Sequence, residues 1–257
     1  MKVGITGCAG RMGSLLVQEL RSGAWDDKGL VFVGGTIENT EEQTFDFDVT
    51  SHADELFEKA DLVIDFTGPA ATRQHIWLAA KHKTALVIGT TGLTEKDEME
   101  IADAAKETSI VYAANMSVGV NLLCALVEQA AARLGPEWDI EIFETHHKHK
   151  VDAPSGTALA LGKSAAKGRG VDLKDTGVYE RYGQTGARNV GDIGFSVARG
   201  GDVAGEHTTF FYGEGERLEL SHRATNRSIF ARGALHAASW LKGKPSGLYS
   251  MRDVLDI

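Results

Sequence analysis

Apolar positions along this chain follow two alternating periods. Short runs rich in β-branched residues lie at 2–6 (KVGIT), 30–37 (LVFVGGTI), 61–66 (DLVIDF), 85–90 (ALVIGT) and 109–115 (SIVYAAN), and each reads as a buried strand. Between them the apolar spacing becomes helical. Met12, Leu15, Leu16 and Leu20 mark one helix between Gly10 and Leu20, a weaker stretch covers 51–59, and others cover 71–82 and 94–106, where Thr94 caps an acid-rich first turn. Strand and helix alternate through residue 116. Such alternation needs crossover connections and a mainly parallel sheet, so the predicted fold class is α/β, a Rossmann-like doubly wound parallel sheet.

The pattern then changes. A long helix is expected from Ser117 to Leu134, stopped by Gly135 and Pro136, and residues 139–145 (DIEIFET) alternate apolar and polar as a strand does. A second helix is expected from Ser155 to Lys167, and the glycine- and charge-rich segment 168–190 reads as a loop. Segments 193–199, 206–212 and 216–224, joined by short glycine-containing turns, predict an antiparallel meander. The second half is thus an α+β domain with a mainly antiparallel sheet. One sheet face should be covered by the 117–134 helix and the other by a partner subunit. An amphipathic helix at 228–243 is placed to return to the first domain.

Composition narrows the class. The 257 residues include 30 glycines but only 4 prolines, without a Gly-X-Y period, and are 42% apolar, which excludes collagen-like and disordered chains. No apolar run reaches membrane-spanning length, and the start lacks a secretory pattern, so a cytoplasmic protein is expected. A net charge of −9, from 27 Lys+Arg and 36 Asp+Glu, argues against a nucleic-acid partner bound by the whole surface. Cys8 and Cys124 fit no paired motif and read as small buried hydrophobes.

Candidate chemistry gathers in two places. Gly7-Cys8-Ala9-Gly10-Arg11-Met12-Gly13 joins the first strand to the first helix, a GxxGxxG variant of the loop whose glycines let backbone approach a pyrophosphate at a helix start. An ordinary glycine turn is the competing reading. Glu38, at the end of the second strand, is suited to the hydroxyls of an adenosine ribose, and its charge would repel a ribose phosphate, favouring NAD over NADP. Gly89, Thr90, Thr91 and Gly92, and likewise Ala113, Ala114, Asn115 and Met116, stand at later strand ends, where backbone groups could meet a nicotinamide or simply turn the chain.

The second place is a basic block in an acidic chain, Glu144 to Ala158 (ETHHKHKVDAPSGTA). If it stays extended, His146, Lys148 and Lys150 share one side and His147 and His149 the other. It leads into Ser155-Gly156-Thr157 at a helix start, whose N–H groups suit a carboxylate. The favoured reading is an anion site with histidine as acid or base and lysine as charge clamp. A metal site lacks acid or cysteine ligands at a recognisable spacing, so no metal is expected, and a solvated basic loop remains the plain alternative.

At these residues the chain resembles the 4-hydroxy-tetrahydrodipicolinate reductase (dihydrodipicolinate reductase) family of lysine and diaminopimelate synthesis. The resemblance rests on GCAGRMG, IDFT, VIGTTG, AANMSVGVN, HHKHKVDAPSGTA and GLYSMRDVLD, in order along essentially the whole chain. It implies that His146 gives or takes a proton, that Lys150 is a second proton donor and charge partner, and that His147, Lys150, Ser155, Gly156 and Thr157 hold substrate carboxylates. It further implies a split dinucleotide-binding domain (1–116 and 227–257), a substrate-binding and tetramerisation domain (117–226), closure on binding, and a homotetramer. The dinucleotide would be held by Gly7, Cys8, Ala9, Gly10, Arg11, Met12, Glu38 and the two later strand ends.

One departure concerns the cofactor. Many relatives carry arginine after the ribose-binding acid and after IDFT, whereas this chain has Asn39 and Gly68, which sharpens the preference for NADH while leaving NADPH open. Two other classes stay in play: a different Rossmann oxidoreductase acting on a small dicarboxylate, and a non-catalytic dinucleotide sensor.

Overall fold

The structure is a computed structural model and describes residues 1–38 and 44–257. The chain divides into two units, Met1–Val118 with Ser228–Asp256, and Gly119–Arg227 with Ile257.

The first unit opens with β1 (Lys2–Thr6), α1 (Arg11–Arg21), β2 (Val31–Thr36), β3 (Val49–Thr50), α2 (Ala53–Lys59), β4 (Leu62–Asp65), α3 (Pro69–His82), β5 (Ala85–Ile88), α4 (Glu95–Ala104) and β6 (Ser109–Tyr112). The second unit contains α5 (Val118–Arg133, its first residue in the first unit), β7 (Asp139–His146), α6 (Gly156–Arg169), α7 (Leu173–Thr176), β8 (Gly177–Val178), β9 (Ile193–Arg199), β10 (Gly205–Gly213) and β11 (Glu216–Ala224). The chain then returns to the first unit as α8 (Ser228–Leu241), β12 (Gly247–Tyr249) and α9 (Met251–Leu255).

The first sheet runs β12-β6-β5-β4-β1-β2-β3, with every ladder parallel. Its order reverses at β1, which is where an open α/β sheet leaves a crevice for a ligand. Period-two alternation sorts the side chains. Val3, Ile5, Leu62, Ile64, Val87 and Val111 pack with apolar residues of α1, α8 and α9. Val63, Leu86, Ile88 and Ile110 pack with α2, α3 and α4 on the opposite face. The doubly wound α/β class is therefore observed. Thr94 caps α4 in a reciprocal box with Asp97. The strand at the far edge, β12, was not anticipated: three residues are too few to carry a period of their own.

The second sheet runs β11-β10-β7-β9-β8 and is mixed. The β10 ladders to β11 and β7 are antiparallel, whereas β9 pairs parallel with β7 and with β8. The expected meander is thus corrected, because β7 lies between β9 and β10. The turn joining them, which reads as a hairpin, spends its backbone bonds on the chain leaving β7: Gly200 N–H donates to His146 O, and the N–H groups of His147 and Lys148 donate to Val203 O and Gly201 O. The 168–190 loop is corrected too. It contains α7, capped by Asp172, and β8, and the residues beyond are tied down by Arg181 and Arg188, which pair with Glu141 and Asp139 of β7.

Ile140, Ile142, Ile193, Phe195 and Phe211 of this sheet form one core with Leu123 and Val127 of α5 and Leu161 and Ala165 of α6. The opposite face keeps Phe143 and Tyr212 exposed.

Candidate active site

In the first unit the phosphate-loop geometry follows from its glycines. Gly7 leaves β1 with φ +61°, a left-handed conformation that side chains rarely adopt. A Cβ on Gly13 would lie 2.1 Å from the Gly7 carbonyl oxygen, so helix and loop approach as closely as they do only because residue 13 has none. Gly10 N-caps α1 without a side chain, and the first turn carries no acid. Its N–H groups therefore suit an anion.

A cavity of about 730 Å³ joins Gly7, Ala9 and Gly10 to Glu38 and to the 66–68 loop at the start of α3. That loop is anchored by Asp65, fully buried, whose carboxylate accepts from Thr67 N–H (2.9 Å) and Thr67 Oγ1 (2.6 Å) and meets His75 Nδ1 at 2.9 Å. Burial pushes this carboxyl up, but the bonds from His75 and Thr67 outweigh it and hold it below its usual range. Sequence reasoning missed the pair because Asp65 and His75 sit in a strand and a helix that read as plain core.

Other cofactor candidates are placed differently. Arg11 is exposed and Met12 half-buried beside the loop, but the Cys8 side chain is buried against Gly35. Gly89 is accounted for by packing, since a Cβ there would strike the Phe66 ring at 2.2 Å. Thr90 is buried and bonded to Thr72, whereas Thr91 is exposed. At the end of β6 Ala113 is half-buried and Ala114 exposed, Asn115 is half-buried with its Oδ1 accepting from Ser117 N–H, and Met116 lies in the core under α8. Asn39 falls outside the described residues.

The second unit assembles the basic block around one carboxylate. Its extended form is corrected: β7 stops at His146 and the chain turns over 147–150, with Lys150 N–H donating to His147 O at 3.1 Å. The reason is the 200–204 connection, whose backbone captures residues 146–148 before they can continue the strand. Glu144, 1% exposed, meets His146 Nδ1 at 2.5 Å through Oε2 and accepts Ser155 N–H at 3.0 Å through Oε1. Arg199 forks onto both oxygens at 2.8 and 2.9 Å. Sheet register makes this possible, since Arg199 stands opposite His146 and His207 opposite Glu144.

Burial would push the Glu144 carboxyl up, but Arg199, His146 and the Ser155 amide hold it below its usual range. An ionised carboxylate only accepts, so Nδ1 of His146 carries hydrogen and Nε2 is left for proton exchange. Burial lowers the His146 pKa; Glu144 opposes this, while Lys150 and Arg199 add to it. His207 lies edge to face with His146, ring centroids 5.0 Å apart, and its pKa is pushed down to about 4, chiefly by burial.

Ser155 N-caps α6, its hydroxyl accepting Ala158 N–H at 3.1 Å and meeting His207 Nε2 at 2.9 Å, so that hydroxyl is already engaged. Gly156 is exposed with open space at its Cα, and Thr157 is half-buried beside it. Lys150 pairs with Asp152 at 2.9 Å. His147 and Lys148 line a cavity of about 620 Å³ with Arg227, a cation the sequence pattern did not single out. Glu144, His146 and His207 also bring ligand-type atoms within 4.8 Å of one another. Arg199 and the Ser155 amide already fill both carboxylate oxygens, which leaves a metal ion a poor fit.

A parallel sheet with a glycine phosphate loop at its reversal, together with a separate unit presenting acid-base side chains, defines a nicotinamide-dinucleotide oxidoreductase, and the comparisons agree. A family profile described as "Dihydrodipicolinate reductase, N-terminus" matches residues 1–116, and one described as "Dihydrodipicolinate reductase, C-terminus" matches 119–255. The chain belongs to the dihydrodipicolinate reductase family. Relatives called 4-hydroxy-tetrahydrodipicolinate reductase include one from Parvibaculum lavamentivorans, 51% identical over 100% of this chain and 98% of its own, and one from Zymomonas mobilis, 48% identical over the same shares. Among solved structures, dipicolinate-bound dihydrodipicolinate reductase from Paenisporosarcina sp. TG-14 shares the fold with a TM-score of 0.80 at 23% identity, over 97% of each chain.

Proposed function

We propose that this protein reduces 4-hydroxy-tetrahydrodipicolinate to tetrahydrodipicolinate in the cytoplasm, in lysine and diaminopimelate synthesis, with NADH preferred over NADPH. The observation that carries the reading is the Glu144–His146–Arg199 group set beside the start of α6. In the first unit the open amides of α1 would take the pyrophosphate and Glu38 the ribose hydroxyls. The negative charge of Glu38 and the missing side chain at Gly68 both disfavour a ribose phosphate there.

The bound dinucleotide supplies a hydride. In the second unit His147, Lys150 and the backbone at Ser155, Gly156 and Thr157 hold the substrate carboxylates, a substrate carboxylate replacing Asp152 as the partner of Lys150. A dianion beside His146 raises its proton affinity. His146 then carries a proton at Nε2 that it can deliver as the ring is reduced, while Glu144 keeps Nδ1 in place. The exposed Phe143 and Tyr212 on the uncovered face support assembly through this sheet into a homotetramer.

An assay coupled to the synthase that makes the substrate tests the activity by NADH absorbance. Turnover that dipicolinate inhibits is expected, dipicolinate being the ligand named for the Paenisporosarcina reductase. NADH binding without turnover would point to a sensor, and turnover only with another dicarboxylate to a different oxidoreductase.

A further inference from the structure

We infer that Glu144 and Arg199 are the positioning residues of this site: one buried ion pair fixes the ring of His146 and ties it to the start of α6. The inference deepens the proposed function and rests on it. Four donors converge on the Glu144 carboxylate, from His146, Ser155 and, twice, Arg199. They come from β7, the α6 N-terminus and β9. Its acceptor capacity is engaged on both oxygens, so the carboxylate has little freedom to rotate away.

Arg199 extends the tie. Its guanidinium also donates to Asp152 O at 2.7 Å and Ala198 O at 2.8 Å, and the Asp152 side chain pairs with Lys150. The proton-exchanging ring, the lysine loop and the carboxylate-binding helix start are thereby referred to a single carboxylate. A buried pair of this kind adds little to stability when compared with apolar packing, but it specifies geometry, and breaking it on one side leaves a charge stranded.

The groups facing His146 are Glu144 on its own strand, Arg199 on β9, His207 on β10, and Lys150 with Asp152 in the following loop; His222 stands opposite His207 on β11. Two of these act on its protonation in opposite senses. Glu144 raises the His146 pKa and Arg199 lowers it. A residue that served only to hold the fold would leave a folded variant with wild-type kcat, so the titration shift is read together with a fall in kcat at unchanged KM for NADH.

The test uses the full chain and the variants Glu144→Gln, Glu144→Asp and Arg199→Met. Titration of the His146 ring is followed by NMR in the free protein, its signal assigned by its loss in His146→Gln, and steady-state kinetics are run beside it. In Glu144→Gln the ring should titrate at lower pH than in wild type, and in Arg199→Met at higher pH. In Glu144→Gln kcat should fall about 10²-fold, the scale of a misplaced catalytic group, with KM for NADH within about twofold of wild type. Glu144→Asp keeps the charge but withdraws it, and should recover part of kcat.

Unmoved or same-direction titrations in the two charge-removing variants would overturn the inference, as would wild-type kcat in Glu144→Gln. Where Glu144→Gln does not fold, Glu144→Asp decides: an unmoved His146 midpoint with unchanged kcat overturns it. The ring titration needs no turnover, so it stands apart from the reductase reading, whose failure would appear as an inactive wild-type protein.

Discussion

Ser155 and His207, far apart in sequence, meet through the serine hydroxyl and ring Nε2 at 2.9 Å, so the residue that caps α6 is also the partner of a buried imidazole. The other ring nitrogen of His207 is buried without a hydrogen-bond partner among the described residues. A histidine in this position is built in neutral.

The first prediction is acid instability with a defined sign. The folded pKa of His207, about 4, lies below the ordinary value of 6.5, so the unfolded chain binds the proton more readily. Its contribution is fully present above pH 6.5 and is lost as pH falls toward 4. The loss approaches roughly 3 kcal/mol. Urea unfolding at successive pH values should show this slope, and His207→Gln should flatten it. An equally steep slope in that variant would refute the assignment.

Replacing His146 with glutamine should lower kcat by about 10² or more while dinucleotide affinity stays near wild type. Stopped-flow or steady-state rates beside a fluorescence titration of NADH give both numbers. Wild-type kcat in the variant would remove His146 from the chemistry.

Replacing Lys150 with methionine should raise KM for the dicarboxylate and lower kcat together, because one ammonium serves both carboxylate binding and charge balance. Dipicolinate inhibition should weaken in parallel. An unchanged inhibition constant would show that the carboxylates are held elsewhere.

Gly13→Ala should weaken dinucleotide binding and lower stability by about 1–3 kcal/mol, since the new Cβ meets the backbone oxygen of Gly7, which has no flexible side chain to move aside. Calorimetry and NADH titration check it; an unchanged Tm would mean that the loop relaxes freely.

Cofactor choice is open to direct comparison. Wild type should show the higher kcat/KM with NADH, and Gly68→Arg should raise kcat/KM for NADPH, by about tenfold if one new ion pair worth about 1.4 kcal/mol forms. A wild-type preference for NADPH would reverse the role given to Glu38.

Sequence periodicity reached the first unit well because each buried strand and covering helix carries its own local signal. Val3, Ile5, Leu62 and Ile64 face one cluster while Val63 faces the other, a sorting that needs no knowledge of neighbours. The second sheet failed as a meander because pairing partners are a long-range property: no local feature says that Phe143 lies beside Ser196 on one side and Thr208 on the other. The site divided the same way. His146, Lys150 and Ser155 stood out as one anomalous block, whereas Arg199 and His207 lay within ordinary strand segments and acquire their roles only from register. Glu144 was within the block but silent, since a lone acid before histidines shows nothing of its burial.

The edge strand β12 gives the first unit a consequence for its biogenesis. During synthesis β6 emerges early but gains its outer neighbour only when Gly247–Tyr249 has been made, after the entire second unit. Until then its backbone N–H and C=O groups along that edge stay unsatisfied, open to pairing with any other extended chain. The second unit, continuous in sequence, can complete its core first. A chain interrupted before Gly247 would keep both glycine loop and histidine block yet carry a raw sheet edge, and its failure should appear as aggregation before it appears as lost chemistry.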